Sequence, residues 1–270
     1  MRRNALTYIT LVIGAIFFAY PFLWMFFASL KPETQISELW FMSENLSFKN
    51  YSTVFAKIPI VRAFFNSLFV STAITFSVII FGSIVGYALS RLNFKGRDLI
   101  LFLILFTMMI PFQITLIPTY VLIVKLGFVD SYAGLIFPAM MNSLAILIFR
   151  QFFLTIPQSL IESARIDGCN NLQILFKIII PLSKPAVATV GILTFTSSWN
   201  EVLWPLIVVR SEKFMTMPQL VTIFVVGGQA GSQLGVQLAS ATLLALPIIV
   251  AYVFFQRYFI ESLARTGLKE

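Results

Sequence analysis

Along the 270-residue chain, apolar stretches free of charge alternate with short polar segments. A helix crossing roughly 30 Å of hydrocarbon needs about 20 predominantly apolar residues. Six stretches fit that pattern. They are Leu6–Leu30, Phe64–Ser90, Leu99–Val124, a fourth that is charge-free over Gly134–Phe149 and extends to about residue 154, Ser183–Val209 and Val236–Gln256. Glu201 interrupts the fifth. The uncharged run from Phe214 to Gln256 is too long for one span, and the Gly- and Gln-rich segment 227–233 divides it into a loop and a last helix. The pattern predicts an all-α membrane protein: a single transmembrane domain over 1–270 with six helices, a polar loop at 155–181, another at 210–235, and both termini on one side.

Charge orients these spans. With the termini inside, the cytoplasmic side receives 12 of the 19 basic residues (Arg2, Arg3, Arg91, Lys95, Arg97, Arg150, Arg165, Lys177, Lys184, Arg257, Arg265 and Lys269) and five of the 11 acids, a net +7. The outer side keeps about +1, so the positive-inside rule favours cytoplasmic termini. The overall charge of +8 is thus topological, and no nucleic-acid partner is expected. Arg2-Arg3 ahead of a long apolar run is reminiscent of a signal peptide, but the run is too long for one and lacks a small-residue cleavage site before Lys31, so a retained helix is expected.

Composition then removes whole classes of chemistry. With 59% hydrophobic residues, 11% charged and a mean hydropathy of +0.91, a soluble domain is excluded. No His and one Cys leave no His- or Cys-ligated metal site, no intrachain disulfide and no Ser-His-Asp triad. No G-x-x-x-x-G-K-[ST] loop is present, so ATP, if it drives this protein, is bound by another subunit. The spans carry one ionisable residue, Glu201, roughly 27 Å along its helix at 1.5 Å per residue, near an interface. An ion-coupled carrier or channel would have to work through it alone. A membrane-embedded enzyme would lack any paired acids or nucleophile and base.

The segment Thr155–Lys184 is too polar for lipid, yet patterned as two ordered helices. Ser159-Leu160-Ile161-Glu162 reads as a capping box, and Gly168 supplies a left-handed C-terminus. Asn170-Asn171-Leu172-Gln173 reads as a second start, followed by an apolar stripe of Leu172, Leu175, Phe176 and Ile179 before Pro181. Such a loop either lies on the membrane surface or docks a partner.

Glu162-Ser163-Ala164, three residues, Gly168, nine residues, then Ile178, Ile180 and Pro181 resembles the E-A-A-x3-G-x9-I-x-L-P signature of permease subunits of ATP-binding-cassette importers, with Ser163 and Ile180 as its departures. The resemblance extends along the chain through Lys31-Pro32, Tyr87-Ala88-Leu89-Ser90-Arg91, Ser198-Trp199-Asn200-Glu201 and Gln256-Arg257-Tyr258-Phe259. It is strongest to the smaller permease of maltose-type sugar importers. It implies a type I importer fold in a bacterial-type plasma (inner) membrane. In that fold the loop is a coupling helix seated on an ATPase, with Glu162, Ser163, Ala164, Arg165, Asp167, Gly168 and Pro181 as contact or geometry residues. It also implies the partners: a second permease, two ATPase copies carrying ATP and magnesium, and an extracytoplasmic binding protein that meets the loop 210–235. No cofactor or metal is expected in this chain.

A sugar is uncharged and rich in hydroxyls, so its path needs hydrogen-bonding and aromatic groups. The candidates are Gln113 in span three between Pro111 and Pro118, prolines that loosen a helix, Asn142 in span four, and Ser197, Trp199, Asn200 and Glu201 in span five. The same residue types also serve plain interhelical hydrogen bonds.

Overall fold

The first apolar run folds as α1 (Arg2–Ser29), which holds Pro21 without breaking, and is followed by a short α2 (Lys49–Lys57). The second run contains no proline and forms the 32-residue α3 (Ile60–Arg91). The computed structural model describes residues 2–36, 45–231 and 233–267, with side chains for 7–36, 45–231, 233–250, 252 and 253. Lys269 and Glu270, assigned inside on sequence, lie beyond the described residues, and the side chains of Gln256 to Phe259 are not among those described.

The third run departs from a continuous span. It is two helices, α4 (Arg97–Met108) and α5 (Phe112–Lys125), meeting at 103°. Pro111 has no N–H to donate and disfavours helical backbone at Ile110, so the helix tightens and ends: the Met109 and Ile110 amides donate to Phe106 O and Thr107 O at 3.0 and 3.2 Å. Pro118, four residues after Ile114, sits inside α5 and leaves it intact. The fourth run is also broken. It comprises α6 (Tyr132–Ile136) with a 3₁₀ turn over Phe137–Ala139, then α7 (Ser143–Leu154), at 45° to one another.

The polar loop contains α8 (Gln158–Ile166) and α9 (Asn171–Ile174), a π-helical turn over Leu175–Ile179, and the single turn α10 (Ile180–Leu182). The chain then bends by 85° into α11 (Lys184–Trp199). It continues through α12 (Leu203–Val208), α13 (Met217–Val226) and α14 (Leu234–Gly267). By length and composition, α1 from Thr7 and α3 qualify as continuous membrane spans, and three bent helix pairs as broken ones; the apolar part of α14 described with side chains is Leu234–Val250.

The contacts define two compact units, residues 1–63 with 220–250, and residues 64–219 with 251–270. The first is tied by end-capping. Asn50 Nδ2 donates to Ser29 O and Lys31 O at 2.8 and 3.1 Å, closing the end of α1. The Glu33 carboxylate accepts the Leu234 and Gly235 amides at 2.5 and 3.1 Å, placing a negative charge at the positive end of α14.

In the second unit, Phe149 and Phe153 of α7 are fully buried with stacked rings 5.5 Å apart. Gly82 and Gly86, four residues apart on α3, let that helix come close to α7. A Cβ on Gly82 would meet Ala145 Cβ at 3.4 Å, and one on Gly86 would lie 2.8 Å from Phe149 Cβ and 3.1 Å from Arg150 N.

Candidate functional site

Two regions of the second unit carry the residues that the sequence singled out. The first is the loop 155–181. Its opening cap differs from the sequence expectation: α8 starts from Pro157, whose φ of −58° is preset for a helix start, and no side chain caps it. Ser159 and Glu162 therefore lie within the helix, and no box forms between them. The reciprocal box forms instead at Asn170 and Gln173. Asn170 Oδ1 accepts the Gln173 amide at 2.9 Å, and Gln173 Oε1 accepts the Asn170 amide at 2.8 Å.

Between the two helices, Gly168 has φ +82°. The Gly168 amide donates to Arg165 O at 3.0 Å and the Cys169 amide to Ala164 O at 2.9 Å, the paired bonds of a Schellman end. A Cβ at 168 would find nothing within 4 Å, so backbone conformation, not crowding within the chain, is what calls for glycine there.

Ile161 and Ala164 face inward and are buried, whereas Glu162, Ser163, Arg165, Asp167, Gly168 and Pro181 are exposed. Ile166, 87% exposed, stands among them. The apolar stripe is rearranged relative to its 3.6-residue reading. Ile174, Leu175 and Ile179 are buried, while Leu172 and Phe176 are exposed, because the π turn over Leu175–Ile179 shifts the side-chain register.

The second region is an open cavity of about 510 Å³ bordered by α3, α5, α6, α7, α11 and α12. Its wall is mostly apolar, from Val70 and Ile74 to Leu135 and Trp204, with Asn142, Thr194, Ser197, Ser198 and Glu201 interspersed. The structure thus brings together Asn142, Ser197 and Glu201, and leaves Gln113, Trp199 and Asn200 off the wall. Phe112, the neighbour of Gln113, lines it instead. Trp199 is 1% exposed and packed against Phe64 and Phe195, at ring distances of 5.8 Å in each case. Asn200 is exposed and donates from Nδ2 to Thr196 O at 3.0 Å.

Two of the lining polar groups also hold helix ends. Asn142 Oδ1 accepts the Ala145 amide at 3.1 Å at the start of α7, and Glu201 Oε1 accepts the Trp204 amide at 3.1 Å at the start of α12. The breaks in spans four and five expose backbone donors, and the side chains that border the cavity satisfy them.

Sequence reasoning passed over the clamp at Asp130. This residue has φ +57°, its amide donates to Val208 O at 2.8 Å, and its carboxylate accepts the Arg210 and Ser211 amides at 2.9 Å and the Ser211 hydroxyl. The hydroxyl and amide donors hold the carboxyl below its usual range. A lone Asp after Phe128-Val129 gives no sign in sequence of a partner 81 residues away.

Residues 78–265 match the family described as binding-protein-dependent transport system inner membrane component. The arabinooligosaccharides transport system permease protein of Halalkalibacterium halodurans is 37% identical over 269 residues, covering 96% of this chain and 95% of the relative. The sn-glycerol-3-phosphate transport system permease protein of Brucella abortus is 32% identical over 272 residues, covering 97% and 96%. Among solved structures, a chain of a bacterial ABC transporter involved in the import of the acidic polysaccharide alginate superposes with a TM-score of 0.81 at 27% identity, covering 95% of this chain and 96% of that one.

Proposed function

The chain belongs to the family of binding-protein-dependent transport system inner membrane components, and from that premise we propose that it is the membrane-spanning permease subunit of an ATP-driven importer of sugars or sugar derivatives. The observation that carries the reading is the loop 155–181: a short helix with an exposed Glu162-Ser163 face, ended by a left-handed Gly168 and followed by a capped second helix. Relatives that import arabinooligosaccharides, glycerol phosphate and alginate support a carbohydrate or carbohydrate-like substrate.

In this reading the chain is not an enzyme. Two copies of an ATPase bind ATP and magnesium, a second permease completes the pathway, and an extracytoplasmic binding protein delivers the solute to the outer loop 210–235. Six spans of a type I importer fold place both termini in the cytoplasm. ATPase closure moves α8 and, through it, tilts spans three to five toward the outward-open state. The cavity lined by Asn142, Ser197 and Glu201 is this chain's share of the solute path. Sharp breaks in spans three and four, at Pro111 and Asn142, give those spans short segments that can move separately. Gln113, Trp199 and Asn200 have no place on the cavity wall in this conformation, and Trp199 acts there as packing.

The ion-coupled carrier built on Glu201 is the reading that family membership displaces, and Glu201→Gln tests the matter directly. A Gln Oε1 still accepts the Trp204 amide, so the break stays capped while the charge is lost. Uptake by the reconstituted complex is expected to stay within about twofold of wild type and to require ATP without an ion gradient. Loss of uptake together with dependence on a proton or sodium gradient would reinstate the carrier.

A further inference from the structure

The end of α3 is fastened to the start of α8 and to the start of α9 by side chains that the transport reading leaves without a role. Arg91, its last residue, spreads its guanidinium over the chain that leads into α8. Nε donates to Phe153 O at 3.1 Å, Nη2 donates to Phe153 O and Ile156 O, and Nη1 donates to Gln158 Oε1 at 2.9 Å. Phe153 lies in the last turn of α7 and Ile156 two residues beyond it, at the negative end of the helix, where a cation is favoured. Gln158 is the first residue of α8.

One turn earlier on α3, Tyr87 is 3% exposed and its hydroxyl donates to Asn171 Oδ1 at 3.4 Å, at the start of α9. The helix hairpin α8 and α9 is therefore gripped at its entrance by Arg91 and at its far side by Tyr87. The residue before it, Gly86, lets the α3 backbone meet Arg150 and Phe149 of α7 with no room for a side chain.

A planar guanidinium with five donors is suited to this task. It satisfies two carbonyls and an amide oxygen at once, which an ammonium on a flexible stem cannot do in fixed geometry. The grip joins segments 62 to 84 residues apart, so it fixes tertiary position and not local helix.

We propose that Arg91, aided by Tyr87, is a positioning residue that makes α3 and the docking helix move as one body, so that ATPase closure is delivered to span two directly and not only along the chain into span five. The proposal rests on the reading of 155–181 as the ATPase dock. Without the grip, the dock still binds the ATPase but its motion is absorbed at the junction around Thr155–Pro157.

The test is solute transported per ATP hydrolysed, measured on the full complex in proteoliposomes with binding protein and loaded solute. Arg91→Gln is expected to co-purify with the ATPase and keep solute-stimulated hydrolysis, while transport per ATP falls about three- to tenfold. Arg91→Lys, which restores charge but not the fork, is expected to recover part of the ratio. An unchanged ratio in Arg91→Gln overturns the proposal, as does a parallel fall of hydrolysis and transport. If Arg91→Gln does not assemble, Tyr87→Phe is read in its place: it removes one hydroxyl from the same grip, and a ratio within error of wild type overturns the proposal. Absence of any ATPase on the wild-type permease would instead refute the docking reading.

Discussion

Gly168→Asp is expected to leave membrane insertion intact and abolish transport. Insertion depends on the apolar runs, and residue 168 lies outside all of them. The backbone there is left-handed, a conformation in which Asp and Asn are the best tolerated after glycine, at a cost of order 1 kcal/mol. The Schellman end therefore survives strained rather than broken. What changes is the surface: a carboxylate is added beside exposed Asp167, on the face proposed to meet the ATPase.

The neutral Gly168→Asn variant separates the two effects. Retention of most transport in Gly168→Asn with loss in Gly168→Asp assigns the effect to charge at the dock; equal loss assigns it to close approach. A drop of at least about tenfold in uptake, equivalent to 1.4 kcal/mol, is expected for the aspartate variant, measured alongside its abundance in the membrane. Wild-type uptake would mean that Gly168 does not face a partner.

Gly86→Leu is expected to have the larger effect on the permease itself. The added Cβ would sit 2.8 Å from Phe149 Cβ, 3.1 Å from Arg150 N and 3.2 Å from Ile146 O. Two of those three atoms are backbone, so no rotamer change relieves the contact, and α3 must separate from α7. Overpacking of this kind costs about 1–3 kcal/mol, with the close-contact helix pair lost besides. Separation would also withdraw Arg91 from Phe153 O and Ile156 O. Thermal stability of the purified complex should fall sharply and uptake should be lost. Gly82→Ala, where the nearest atoms lie at 3.4 Å, is expected to behave nearly as wild type. Equal stability of the two variants would contradict the close packing of α3 on α7.

Elements governed by local rules were readable from the chain, and those governed by distant contacts were not. The Gly168 turn, the start signal at Asn170 and the interruption at Glu201 follow from residues within a turn of one another, and each stands in the structure. Pro111 announced a weak point in span three, but proline chemistry fixes only the break; the 103° angle depends on what α4 and α5 pack against.

The pattern Ser159 to Glu162 fits a capping box equally well in sequence, and Pro157 takes the helix start two residues earlier. A π turn, invisible to a 3.6-residue template, exchanges Phe176 for Ile174 on the buried face. Trp199 reads as a sugar-stacking ring until Phe64 is placed beside it across 135 residues of sequence. Arg91 was legible as a basic residue closing the second span and as part of the run Tyr87-Ala88-Leu89-Ser90-Arg91 that carries the resemblance, but its partners, 62 to 67 residues away, were not.

The account stands most directly on what this chain assembles with. A tag on the C-terminus, extraction of native membranes in mild detergent and identification of the co-purifying proteins measure that assembly. The account predicts an ATPase and a second, different permease recovered with it, the ATPase being lost when the loop after α8 carries Gly168→Asp. Recovery of the chain alone, from an extract in which other multisubunit complexes remain intact, would contradict the docking role of 155–181 and with it the importer.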